Sequence, residues 1–267
     1  MKRVLSIQDL SCLGKCSLTV ALPVLSAMGC ACSVLPTAVL STHTAFPEPT
    51  CRSLTGDLIP TAEHWHSIGA GFDAISVGYL SDPEQAEKVV RVLELFGSTV
   101  ILDPVMGDHG RLYSRLTPDH VTAMEKLCRK ATYVLPNVTE AALLTGLPYR
   151  EQVDEDYLRK LAAGLMEFGV EGAVITGFLW DDSRTGFFGT GKDGEFSYKA
   201  ARIPKHFHGT GDLFAAVFTG GLLSGKGMED AARLAAGFVE KVISATGESS
   251  PFGIEFEPQL PLLWEQI

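Results

Sequence analysis

Apolar residues fall into two alternating rhythms along this chain. Short runs of β-branched and aliphatic residues appear at 4–8, 31–40, 75–77, 99–102, 133–135 and 173–175. Each is too short for a helix and is bounded by polar or turn-forming segments, which predicts strands. Between several of them, apolar positions recur at three- and four-residue intervals. Val89, Val90, Leu93 and Phe96 follow Ser81-Asp82-Pro83-Glu84, which reads as a capping box with a Pro near the helix start. Helices are also predicted at 15–28, 117–130, 158–168, 211–224 and 229–246. Pro23 would kink the first of these or confine it to one end. The stretch 184–200 changes character. Its Asp193-Gly194 dipeptide between two aromatic-bearing runs predicts a hairpin. Either a flap beside a nucleotide or an ordinary surface hairpin fits that pattern.

Strands alternating with helices predict a mostly parallel central sheet flanked by helices, a three-layer α/β/α class. No repeat or low-complexity linker divides 1–267, so one domain is expected. Open α/β sheets bind ligands at the carboxyl ends of their strands. Several predicted strands end in polar segments: Gln8-Asp9, Ser41-Thr42-His43-Thr44, Asp103, Asn137 and Thr176-Gly177. These segments are expected to share one rim.

Composition narrows the function classes. Of 267 residues, 46% are hydrophobic and 20% charged, as in globular chains, which excludes a disordered, collagen-like or coiled-coil protein. The formal net charge of −10 excludes a broad nucleic-acid-binding face. It leaves room for ATP, held locally by backbone N–H groups and a metal. The apolar run after Lys2-Arg3 is too short for a secretory signal. No stretch reaches the roughly 18 apolar residues needed to span a bilayer. A cytoplasmic protein with no membrane partner is therefore expected. Cys12, Cys16, Cys30, Cys32, Cys51 and Cys128 form no C-x-x-C pair and no common zinc spacing, so reduced thiols are expected. His64-x-His66 and His206-x-His208 would each face one side of a strand, but no third ligand is indicated and zinc is not expected. His206 and His208 are candidates for a place near a nucleotide.

The sharpest chemistry lies in His208-Gly209-Thr210-Gly211-Asp212-Leu213-Phe214-Ala215-Ala216. Glycines at a helix start let a phosphate approach backbone N–H groups. An adjacent Asp can take a proton from an attacking hydroxyl. The segment equally fits a plain tight turn with Asp212 favoured by the helix dipole. It is not a Walker A loop, since no G-x-x-x-x-G-K-[ST] occurs.

From Gly209 to Ala216 this segment resembles, over its whole length, the C-terminal signature of the pyridoxal kinases within the ribokinase superfamily. Six further segments resemble that family in order and spacing: Arg3-Val4-Leu5-Ser6-Ile7-Gln8, Ser41-Thr42-His43-Thr44, Gly78-Tyr79, Asp103-Pro104-Val105-Met106-Gly107-Asp108, Pro136-Asn137-Val138-Thr139-Glu140 and Ile175-Thr176. The resemblance implies a ribokinase-like fold. It implies ATP-dependent phosphorylation of the 5′-hydroxymethyl group of pyridoxal, pyridoxamine or pyridoxine, in vitamin B6 salvage. It further implies Mg²⁺ and a homodimer, and leaves a monovalent cation open. Asp212 would be the general base, with Gly209, Thr210 and Gly211 as the anion hole. Asp103, Asp108, Asn137 and Glu140 would hold Mg²⁺ and its waters around the phosphates, Asp108 and Glu140 on the metal side. Thr176, Gly177 and Leu213 would meet the nucleotide, while His43, Thr44 and Tyr79 would meet the pyridine substrate.

The chain departs from the family after Gln8. Many members carry Ser-His and then Gly-Tyr-Val-Gly-Asn. Here Asp9-Leu10 is followed by Gly14-Lys15-Cys16-Ser17-Leu18. A carboxylate in the substrate pocket favours an amine or a cationic ring. This predicts that pyridoxamine is used at least as well as pyridoxal, unless Asp9 points away and merely ends the first strand. A hydroxymethylpyrimidine kinase would share the fold and signature, but its Gly-rich substrate loop is absent after Gln8. A sugar kinase would carry an N-terminal Gly-Gly motif and a β-stranded lid, and neither is found. Retention of Asp212 with the whole anion turn speaks against a catalytically silent ligand-binding relative.

Overall fold

The computed structural model describes residues 1–44, 46–205, 207–247 and 252–266. Its strands are β1 (Arg3–Leu13), β2 (Ala31–Thr42), β3 (Cys51–Ser53), β4 (Ala74–Val77), β5 (Thr99–Leu102), β6 (Gly107–Asp108), β7 (Arg111–Leu112), β8 (Tyr133–Val134), β9 (Gly172–Asp181), β10 (Arg184–Gly191) and β11 (Gly194–Ala201). Its helices are α1 (Leu18–Ala27), α2 (Leu58–Ser67), α3 (Glu84–Phe96), α4 (Pro118–Cys128), α5 (Val138–Thr145), α6 (Glu155–Met166), α7 (Thr210–Leu223), α8 (Met228–Ala245) and α9 (Pro261–Trp264). Nine strands form one sheet in the order β11-β10-β9-β8-β5-β4-β1-β2-β3, and β6 and β7 form a separate ribbon. From β2 through β9 neighbouring strands run parallel, while β3, β10 and β11 add antiparallel edges.

The strand period of two explains the layers. Leu5, Ile7, Ile75, Val77, Val100, Leu102, Ala173 and Ile175 pack on one face against α2 to α6. Val4, Ala74, Ile101 and Val174 point the other way, against α1, α7 and α8. Because both faces are covered, these strands read as continuous apolar runs. The chain leaves β1 for β2 on one side and later returns to β4 on the other. Such a reversal marks the carboxyl ends of β1 and β4 as the place where an open α/β sheet takes a ligand. Among the described residues no helix is long and apolar enough to cross a membrane.

Several expectations need correction. β1 does not stop at Gln8. It runs on to Leu13, with a register shift against β2 between Gln8 and Leu10. Gln8, Asp9 and Ser11 are polar but buried, and hydrogen bonds among neighbouring side chains replace water, so polarity does not end the strand. The expected box at 81–84 is shifted. Asp82 Oδ1 accepts the Glu84 N–H at 3.0 Å, and the Gln85 side chain accepts the Ser81 N–H at 2.9 Å. The Ser81 hydroxyl has no partner among the described residues. Residues 58–67 were not expected to be helical, yet Leu58, Ala62 and Trp65 give a helical stripe. On that helix His64 and His66 diverge by about 200°, so the shared strand face expected for them does not form. His206 lies outside the described residues. The 184–200 hairpin continues the central sheet as β10 and β11, its turn at Lys192-Asp193.

Candidate active site

Asp9, Asp103, Asn137 and Thr176 come together where α7 begins, although β1 runs on past Asp9 and β9 past Thr176-Gly177, so these two segments are not the strand ends expected. Gly209 caps α7 at φ +88°, in the left-handed region. A Cβ at that position would lie 2.0 Å from the Lys15 carbonyl oxygen, so the turn is pressed against the 14–17 loop. The opposite wall is the segment at 252–254: Lys15 N–H donates to the Phe252 carbonyl at 2.7 Å, and Ile254 N–H to the His208 carbonyl at 3.2 Å. The first hydrogen bond of the helix is Leu213 N–H to the Gly209 carbonyl at 2.9 Å. Helix geometry therefore leaves the Thr210 and Gly211 N–H groups without intrahelical acceptors at the positive end of α7. Leu213 itself is fully buried in the core below.

Asp212 stands in the first turn of α7. Burial, reinforced by the nearby Asp9 carboxyl, pushes its pKa up to about 6. Asp103, at the end of β5, is raised well above the usual carboxylate range by burial and by the Glu140 and Asp212 carboxyls. Asp108 lies on the exposed β6–β7 ribbon and accepts the His109 N–H at 2.8 Å.

Glu140 is built differently from a free ligand. Its Oε1 accepts the Met106 N–H at 3.0 Å and its Oε2 accepts the Asn137 N–H at 2.9 Å. Asn137 Oδ1 accepts the Glu140 N–H at 2.9 Å, completing a capping box for α5. Asn137 Nδ2 donates to the Gly107 carbonyl at 2.8 Å. Asn137 and Glu140 thus tie the loop carrying Asp108 to the start of α5. Burial holds the Glu140 carboxyl up to about 8 despite these donors. Thr176 bridges to Asn137, and a Cβ on Gly177 (φ +71°) would lie 2.9 Å from Asn137 Cβ.

Two outcomes follow for this loop. Asp108→Ala should raise the Mg²⁺ concentration needed for half-maximal phosphoryl transfer. Glu140→Ala should instead lower Tm and lower turnover even at saturating Mg²⁺, because it strips acceptors from buried N–H groups at about 1–3 kcal/mol each. A Mg²⁺ titration with thermal melts checks both. A shifted midpoint in Glu140→Ala with unchanged Tm would make Glu140 a metal ligand.

The substrate-side residues lie around β1, β2 and β4. Thr44, Phe46, Pro47, Glu48, Pro49, Ser114 and Arg115 line a cavity of about 400 Å³. His43 is buried. Its ring packs 4.6 Å from His208 and 4.7 Å from Phe46. Tyr79 is 5% exposed, and its hydroxyl has no hydrogen-bond partner among the described residues. Burial, then Asp9 and Cys51, push the Tyr79 phenol up to about 12. Asp9 is 3% exposed and already engaged: Ser11 Oγ donates to Oδ2 at 2.9 Å, and Ser17 Oγ donates to Oδ1. The amine contact expected of Asp9 thus meets a carboxylate whose two oxygens are taken by serines.

Sequence reasoning missed four contributors. Ser11 and Ser17 hold Asp9. The Tyr113 phenol is raised by burial and by Glu140, Asp108, Asp103 and Asp212, which puts it beside the acidic cluster. Arg115 lies in the cavity wall. Tyr113 and Arg115 follow the Gly107–Asp108 turn closely, and the reversal signalled by Gly110 was the available clue.

Comparison with known proteins agrees with this geometry. The family model described as phosphomethylpyrimidine kinase matches residues 22–257. The chain is 30% identical to a pyridoxine/pyridoxal/pyridoxamine kinase of Bordetella pertussis, over 92% of this chain and 90% of that protein. A protein of Bacteroides thetaiotaomicron, in a crystal form with pyridoxal, superposes with a TM-score of 0.94 at 33% identity, over 98% of this chain and 95% of its own. The pyridoxal kinase of Lactobacillus plantarum superposes with a TM-score of 0.91 at 33% identity, over 99% of this chain and 97% of its own.

Proposed function

The chain belongs to the phosphomethylpyrimidine kinase family, and we propose that it transfers the γ-phosphoryl group of ATP to the 5′-hydroxymethyl group of a vitamin B6 ring. One observation carries the assignment: Asp212, a half-buried carboxylate whose pKa is pushed up to about 6, stands in the first turn of α7 directly after Gly209-Thr210-Gly211. Phosphoryl transfer needs positioning and charge neutralisation more than covalent chemistry. The ring occupies the cavity beside Thr44 and reaches toward Tyr79. Asp212 takes the proton of the hydroxymethyl group as its oxygen attacks the γ-phosphorus. The Thr210 and Gly211 N–H groups hold the oxygens of the group in transit. Asn137, Thr176 and Gly177 flank the nucleotide.

The carboxylates of Asp103 and Asp108 fit Mg²⁺ in chemistry, because hard oxygen donors beside mutually repelling carboxyls favour a small divalent cation. Among the described residues no three His, Cys, Asp or Glu side chains are grouped to hold a metal by themselves. When bound, Mg²⁺ neutralises charge on the β- and γ-phosphates. A cytoplasmic homodimer belongs to the same proposal. Exposed Leu13 and Leu22 are apolar surface available to a second copy, and sedimentation would test it.

A panel of pyridoxal, pyridoxamine, pyridoxine and hydroxymethylpyrimidine with MgATP tests the substrate class. At least one B6 vitamer should be phosphorylated with a higher kcat/KM than the pyrimidine. The reverse preference would favour hydroxymethylpyrimidine phosphorylation, the activity named for a Bacillus subtilis relative 31% identical over 65% of this chain.

A further inference from the structure

The ring cavity carries two opposite charges that the phosphoryl-transfer steps leave unused. Glu48 and Arg115 stand in the wall that Thr44 lines, on two loops far apart in sequence. Among the described residues neither side chain makes an ion pair or a hydrogen bond, with the other or with any third group. Their backbones are pinned. Leu116 N–H donates to the Tyr113 carbonyl at 2.9 Å, closing a turn whose two central residues are Ser114 and Arg115. Leu116 is buried at one end of that turn, and at the other Tyr113 N–H donates to the Met106 carbonyl at 3.0 Å. Glu48 sits between Pro47 and Pro49, in a loop closed at its base by Ser41 N–H to the Thr50 carbonyl at 3.0 Å and by Thr50 N–H to Ser41 Oγ at 3.0 Å. Its φ is +49°, a positive value shared among the described non-glycine residues only by Ser17 and His109. A side chain before proline does not adopt that conformation by preference, so the loop imposes it.

We propose that Arg115 and Glu48 read the charge pattern of the vitamin B6 ring: Arg115 binds the ionised 3-hydroxyl and Glu48 the protonated ring nitrogen. This rests on the reading of the Thr44 cavity as the site of that ring. Near neutral pH such a ring is a zwitterion, its N–H⁺ and its phenolate flanking the carbon that bears the 2-methyl group. That carbon lies para to the one bearing the reacting hydroxymethyl group. The pair therefore grips the ring by the edge opposite the oxygen that attacks phosphorus. A guanidinium on a phenolate and a carboxylate on an N–H⁺ are both charge-assisted hydrogen bonds, the strong kind. Asp9, with both oxygens taken by serines, leaves the cationic side of the ring to Glu48. A neutral ring without the phenolate gains nothing from either charge, so the same pair separates B6 rings from neutral pyrimidines.

The test compares pyridoxine with 3-deoxypyridoxine, which lacks the phenolate and whose ring nitrogen is less basic for that reason, at neutral pH with saturating MgATP. KM is read where a compound turns over, and the inhibition constant against pyridoxine where it does not. Arg115→Gln should raise the KM for pyridoxine about five- to twentyfold, a charge-assisted contact discounted for exposure to water. Its kcat should stay within about threefold, because a grip on the far edge is the same in ground and transition state. The constant for 3-deoxypyridoxine should change less than about twofold, since that ring has no anion to lose. Arg115→Lys, which keeps the positive charge, should recover most of the loss. Glu48→Gln should raise the pyridoxine KM about three- to tenfold and again leave 3-deoxypyridoxine unmoved. Both side chains are exposed, so Tm should not shift in any of the three variants. A wild-type pyridoxine KM in Arg115→Gln would overturn the proposal. So would equal losses for the two compounds, which would give these residues a role in the shape of their loops instead. A wild-type enzyme that phosphorylates no B6 vitamer removes the ring reading and the charge pair with it. A wild-type enzyme that does, with its discrimination between the two compounds unmoved in both Gln variants, removes the charge pair alone.

Discussion

Asp212→Asn should lower kcat by about 10²–10⁴-fold, the usual contribution of a positioned general base. Asn keeps the shape of the side chain, so nucleotide binding should survive. The pH dependence makes the assignment specific. With a pKa near 6, Asp212 is mostly ionised at neutral pH, and wild-type kcat/KM should fall about tenfold per unit below that value. The variant should lack this limb. The same residue should be a burden on stability. Its folded-state pKa is raised from the ordinary 3.8 to about 6, so the fold disfavours the ionised form. The stability this provides is fully present below about pH 4 and is lost as pH rises through 6. Asp212→Asn should therefore melt above wild type at pH 8 and alongside it near pH 4. An inactive variant that melts below wild type at pH 8 would point to structural damage instead of a lost base.

Gly209→Ala should be nearly as severe, for a steric reason. Alanine at φ +88° pays the left-handed penalty, about 1–2 kcal/mol. The larger problem is the 2.0 Å approach of the new Cβ to the Lys15 carbonyl oxygen. That carbonyl cannot retreat freely. Lys15 N–H is bonded to Phe252 at 2.7 Å, and its ammonium pairs with Glu257 at 2.7 Å. The turn itself must move, carrying the Thr210 and Gly211 N–H groups and Asp212 away from the phosphoryl path. A displacement near 1 Å is expected to cost about 10²-fold in kcat/KM. Kinetics and a melt with and without MgATP check this: Tm should fall, and the rise on adding nucleotide should shrink. Wild-type kinetics in Gly209→Ala would show that the turn does not hold the phosphates.

The layers of this fold were legible because parallel strands buried on both faces are short apolar runs. Residues 99–102 match β5, and 75–77 fall within β4. The signature at 209–212 was legible as a whole because turn, helix start and carboxylate are adjacent in the chain. Local signals were also overlooked. Asn137-x-x-Glu140 is a capping-box spacing that announces α5, a signal that neither a ligand set nor a turn after Pro136 takes into account.

What the linear order withheld is long-range. Polar residues at 8–11 look like a strand end, and only burial against partners elsewhere turns them into the inner wall of a site. Backbone dihedrals at Ser17 depend on Asp9 and on the 252–254 segment packed against the same loop, so no local propensity could announce them. The chain by itself determined the strands of the sheet's centre, most of the helices, the sheet's parallel character and the chemistry available near α7, since these rest on periodicity and adjacency. The tertiary structure alone decided that β1 lies between β4 and β2, which brings the buried Asp9 carboxyl near enough to Asp212 to raise its pKa. Convergence of residues distant in sequence is set by packing the whole sheet, and no short stretch encodes it.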